Sequence, residues 1–185
     1  FISVWKTDVE GADNMFTVTL PLVENGIYDF TVDWGDGTIS HITEWDDPET
    51  THSYNYNMPG KYEVVIDGVI SGWQFCKWNG VNDNEYPEVS KFDCVDSPAK
   101  LIEIKQWGSF SFGDTEAQFF FCVNLDITAK DTPYLSKTKN LKGTFYYARA
   151  LQGNSSFSEW DTSNVTSMRS MFFTSSLFNQ DIGSW

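Results

Sequence analysis

Phe119-Phe120-Phe121-Cys122-Val123-Asn124-Leu125-Asp126 returns as Phe145-Tyr146-Tyr147-Ala148-Arg149-Ala150-Leu151-Gln152, and again as Phe172-Phe173-Thr174-Ser175-Ser176-Leu177-Phe178-Asn179. Each window keeps a Phe, a small residue three positions on, a large apolar residue six on, and a polar residue after that. The spacing is roughly 26 residues, within the range that marks stacked repeats. Leu141 to Met168 and Trp160 to Trp185 keep nearly the same period. Inside the repeats, Leu141, Phe145 and Ala148, and then Val165, Met168 and Phe172, fall on one stripe at helical spacing. Asp161, Thr162, Ser163 and Asn164 offer helix N-caps before the last stripe. Short helices are therefore predicted to start near residues 117, 141 and 164, each followed by a short extended piece. Such a unit cannot bury its apolar face alone, so neighbours must stack, with Phe119, Phe145 and Phe172 as equivalent rungs of a solenoid.

Toward the amino terminus the period changes from helical to two. Phe1-Ile2-Ser3-Val4-Trp5, Phe16-Thr17-Val18-Thr19-Leu20, Tyr28-Asp29-Phe30-Thr31-Val32-Asp33-Trp34 and Lys61-Tyr62-Glu63-Val64-Val65-Ile66 read as half-buried strands. Turn chemistry separates them at Glu24-Asn25-Gly26, Gly35-Asp36-Gly37, Pro59-Gly60 and Asp67-Gly68. Several short strands at this spacing predict a β-sandwich over residues 1–70. Residues 71–116 are left as a connecting or capping segment, and 117–185 as the repeats.

Two stretches resemble known families. Val32-Asp33-Trp34-Gly35-Asp36-Gly37-Thr38, then His52-Ser53-Tyr54, then Gly60-Lys61-Tyr62-Glu63-Val64 is similar to the polycystic-kidney-disease (PKD) type domain. The likeness covers about residues 26 to 67 and departs from the pattern in the acidic loop Trp45-Asp46-Asp47-Pro48-Glu49. Trp160-Asp161-Thr162-Ser163-Asn164-Val165-Thr166-Ser167-Met168-Arg169-Ser170-Met171-Phe172 and Phe178-Asn179-Gln180-Asp181-Ile182-Gly183-Ser184-Trp185 resemble the repeat of the BspA-like bacterial surface proteins. The resemblances together imply an α+β chain: a PKD/Ig-like β-sandwich followed by a leucine-rich-repeat-like α/β solenoid. They further imply an exported bacterial or protist surface protein, lipoproteins included, that serves adhesion or scaffolding.

Composition narrows the partners. The net charge is −14 with 12 basic residues spread thinly, so nucleic acid and anionic membranes are poor partners. No apolar run approaches the roughly 18 residues of a membrane helix. The chain opens at Phe1 and stops at Trp185 inside a repeat, which reads as a piece of a longer protein. Met171, Phe173, Leu177, Phe178, Ile182 and Trp185 are too apolar for a terminal cap, so fraying or self-association through the open solenoid end is expected. Cys122, in an aromatic run, reads as a buried hydrophobe, whereas Cys76 and Cys94 are candidates for a disulfide whose pairing spacing alone does not decide.

No Ser/His/Asp, phosphate-loop or zinc motif occurs, and 26 acidic residues make carboxylate pairs uninformative for glycosidase chemistry. Asp33, Asp36, Asp46 and Asp47 form a rival calcium reading, but they lack the alternating acidic ligands of an EF-hand loop, so a structural turn is expected. His52 is read as hydrogen-bonded and structural. The first functional expectation is a non-catalytic secreted or cell-surface scaffold that binds a host or neighbouring-cell surface protein or glycan, with no cofactor. The alternative is a carbohydrate-binding module that uses Trp73, Trp78 or Trp107.

Overall fold

Among the described residues ten strands carry the regular structure: Ile2–Lys6 (β1), Thr17–Thr19 (β2), Ile27–Asp33 (β3), Ile39–Ile42 (β4), Thr51–Ser53 (β5), Lys61–Ser71 (β6), Cys76–Trp78 (β7), Phe92–Cys94 (β8), Leu101–Gln106 (β9) and Asp126–Ile127 (β10). This computed structural model describes residues 1–9, 16–55, 58–78, 92–95 and 98–185. Six strands form one sheet in the order β10-β9-β1-β6-β3-β4. Every pairing in it is antiparallel except β10 on β9. The pairs β2–β5 and β7–β8 form separate two-stranded sheets.

The alternation seen in the sequence sets the faces. Tyr28, Phe30 and Val32 of β3 point into the core, while Asp29, Thr31 and Asp33 face out. Gly68 lies opposite Phe30 in the β3–β6 ladder with φ +125°, and a Cβ there would meet the Asp29 carbonyl at 2.4 Å. Only glycine fits that crossing. Cys76 and Cys94 face each other across β7–β8 and are joined by a disulfide, whereas Cys122 is free and buried. Replacing both Cys76 and Cys94 by Ser releases a loop of 18 residues. The expected loss is about 3 kcal/mol, read from the urea midpoint. A loss below about 1 kcal/mol would mean that the pairing contributes little to the fold.

The carboxy-terminal repeats are not built from helices, which overturns the expected α/β solenoid and the α+β class. Among the described residues the only helical pieces are 3-10 turns at Pro48–Thr50, Pro98–Lys100 and Ser155–Glu159. The physical reason lies in the backbone. Ala117, Gly143 and Ser170 have positive φ, and so do Phe121, Tyr147 and Thr174 four residues later. A left-handed residue every fourth position prevents an α-helix from propagating. The amides bond outward instead. Ala117, Phe119 and Phe121 donate to the carbonyls of Lys142, Thr144 and Tyr146, and Gly143, Phe145 and Tyr147 donate to those of Arg169, Met171 and Phe173. Three successive turns are thus laced together backbone to backbone. The expected sandwich is likewise replaced by one six-stranded sheet with two small satellites. Alternation shows which face of a strand is buried but not what covers it.

The predicted rungs do stack. Phe145 lies 5.7 Å from Phe119 and 5.6 Å from Phe172, with ring planes 8° and 18° apart. A second column of Phe120, Tyr146 and Phe173 stacks beside it at 4.5 and 4.8 Å. Burial fades along this column, and Phe173 is exposed. Trp107 follows β9 directly and touches Phe110, Phe112, Phe119 and Trp160, so it joins the sheet to the turns.

Candidate binding cleft

Burial decides the fate of the tryptophans named from sequence. Trp73 and Trp107 are fully enclosed. Trp73 is boxed by Phe1, Phe75, Phe110 and Phe119. Trp107 holds the junction described above. Neither has a free face on which a ligand could stack, so the reading of these two as exposed binding residues is corrected. They are core residues because aromatics pack edge-to-face in clusters, and a sequence does not separate that use from a binding use. Trp78 lies on β7, and its side chain falls outside the described residues.

The acidic residues of the Asp33–Thr38 turn hold their own backbone. Asp33 Oδ1 accepts from the Gly35 amide at 2.9 Å, and Asp36 Oδ1 accepts from Thr38 at 3.0 Å. Asp36 Oδ2 pairs with His52 Nε2 at 2.8 Å. His52 stacks on Trp34 at 4.9 Å, and the Tyr54 hydroxyl donates to the Trp34 carbonyl. Asp47 caps the Pro48–Thr50 turn through the Glu49 amide. Among the described residues no three His, Cys, Asp or Glu side chains converge on a common metal position. His52 is a β5 side chain tied to the β3–β4 turn, a structural clasp between two sheets.

Partial burial pushes the Asp36 carboxyl up, but hydrogen bonds from His52 and from the Thr38 backbone and side chain outweigh it and leave the group below its ordinary value. A carboxylate depressed in the folded state stabilises above its unfolded pKa of about 3.9, and the contribution fades as pH falls through the folded value. Asp36→Asn should therefore cost about 1 kcal/mol near neutrality. The gap to the parent should close in acid, as followed by denaturant midpoints from pH 7 downward. A gap that stays constant to pH 2 would show that Asp36 acts by shape alone.

A cleft of about 880 Å³ opens elsewhere. It lies between the loop after β2, the β6–β7 connection, β8 and residues 113–116. Its floor is tied down. The Gln74 side chain donates to the Glu116 carbonyl at 2.9 Å, and Asn140 Nδ2 donates to Glu116 Oε2 at 3.2 Å. Asn140 Oδ1 accepts from the Lys142 amide, and Lys142 Nζ lies 3.8 Å from Glu116. Trp45 lines the wall and is 42% exposed. Sequence reasoning did not single it out as a site residue. The one sign was that it begins the acidic loop where the chain departs from the PKD-like pattern.

No curated protein and no solved structure matches the chain. Residues 112–185, which contain the laced turns, are similar to the family described as Mycoplasma protein of unknown function, DUF285.

Proposed function

We propose that this chain is a non-catalytic interaction segment of a secreted or cell-surface repeat protein, of the adhesive kind suggested by the BspA-like resemblance of residues 157–185. The observation that carries the reading is the repetition itself. The same ring stack and the same outward backbone bonds recur from turn to turn, so the side chains of the repeats serve to hold a shape. The similarity of residues 112–185 to a Mycoplasma family supports it. So does the Cys76–Cys94 disulfide, because such bonds persist outside the reducing cytosol. The partner class is a host or neighbouring-cell surface protein or glycan.

The test is to label intact cells of the source organism with antibody against this chain, and to coat beads with the purified chain and measure their retention on host-cell layers. Signal on intact cells that is lost on brief trypsin treatment, together with saturable bead retention, is the expected result. Labelling only after permeabilisation, or turnover of a substrate by the purified chain, would remove the proposal.

A further inference from the structure

We propose that the cleft walled by Trp45 is a glycan subsite for a neutral or amino sugar, with the Trp45 indole as the stacking platform. This names a ligand class for the interaction segment and rests on that reading.

The first observation is the contrast among the tryptophans. Trp5, Trp34, Trp73 and Trp107 are sealed in the core and Trp160 is buried, while Trp45 is left 42% exposed. An indole at a surface leaves in water apolar area that packing would remove from it. It is set in the wall of the 880 Å³ cleft rather than on an isolated bulge. A sugar ring offers an apolar C–H face and a rim of hydroxyls. An aromatic face beside convergent polar groups is the complement of that shape.

The second observation is what surrounds the indole. Asn25 and Asp114 also line the cleft and have no side-chain partner among the described residues, so they are available to hydroxyl groups. Gln74 spends its amide N–H on the Glu116 carbonyl and keeps its oxygen as an acceptor. The Glu116–Asn140–Lys142 network holds the floor in place before any ligand arrives, which lowers the ordering cost of binding.

The third observation is charge. Four carboxylates, on Glu24, Asp93, Asp114 and Glu116, line the cleft against two ammonium groups, on Lys77 and Lys137. The excess of acceptors suits hydroxyl donors and the ammonium of an amino sugar. It opposes sialylated, uronic and sulfated glycans by like-charge repulsion.

The test uses the purified 185-residue chain on an array of neutral hexose and N-acetylhexosamine oligomers, glucosamine oligomers, sialylated and sulfated glycans, and a Lys-rich peptide. Saturable binding to a neutral or amino glycan is expected. Trp45→Ala should weaken it by about tenfold or more with an unchanged melting temperature, and Trp45→Phe, which keeps a ring, should stay within about threefold. The indole N–H resonance of Trp45, assigned by its loss in Trp45→Phe, should shift on titration with the bound glycan. Preference for sialylated or sulfated glycans, binding of the peptide alone, or full affinity in Trp45→Ala would each overturn the subsite. Bead retention on cells without any glycan binding would overturn the subsite and leave the interaction segment standing. Loss of both would remove the two together.

Discussion

Phe145→Ala is expected to destabilise the protein by on the order of 3–5 kcal/mol, as deletion of a fully buried aromatic does. The ring is sandwiched between Phe119 and Phe172 and is also met by Phe157 and Trp160, so its removal empties a space walled on several sides. The laced backbone around it resists collapse into that space, because the Phe119 amide is held by the Thr144 carbonyl and the Phe145 amide by that of Met171. Phe172→Ala should cost less, since Phe172 is only partly buried. Urea midpoints at matched slope give both numbers. A loss below about 1 kcal/mol for Phe145 would mean that the stacked column contributes little.

Trp107→Ala is the second large effect, again about 3–5 kcal/mol. Trp107 closes the junction between β9 and the turns, and its edge-to-face contact with Trp160 spans that junction at 5.7 Å. The companion substitution Trp45→Ala should stay within about 0.5 kcal/mol, as an exposed position does. Thermal melts of the two variants side by side separate a tryptophan that holds the fold from one that is free for a ligand. Equal losses would place Trp45 in the core's service and weaken the case for the cleft.

Much of the strand structure was legible. The alternating runs at Phe1–Trp5, Tyr28–Trp34 and Lys61–Ile66 overlap β1, β3 and β6, because one buried face imposes period two. The partners of those strands were not legible. β1 lies between β6 and β9, and nothing local to residues 2–6 indicates Leu101–Gln106 as a neighbour. The register of the repeats was legible through Phe119, Phe145 and Phe172, but their conformation was not. Apolar spacing of three and four suits a turn with left-handed corners as well as it suits a helix. Gly143 alone hinted at such corners, because Ala117, Phe121, Tyr147, Ser170 and Thr174 are not residues that announce positive φ. The candidate site was hidden for another reason. Trp73 and Trp45 look alike in a sequence, and only the packing of Phe1, Phe75 and Phe110 around the first tells them apart.

The lacing of the turns has an electrical consequence. In the central row the peptide unit between Thr144 and Phe145 accepts from the Phe119 amide and donates to the Met171 carbonyl, and the rows through Lys142–Gly143 and Tyr146–Tyr147 run the same way. Peptide dipoles joined head to tail add rather than cancel, as they do along a helix axis. They also polarise one another. These turns therefore act as a small electret with its negative pole toward Ala117 and its positive pole where the rows arrive at the amides of Ser170, Phe172 and Thr174. The amide end of each row carries a partial positive charge, and Arg169 precedes the Ser170 amide in the chain, so backbone and side chain there have the same sign.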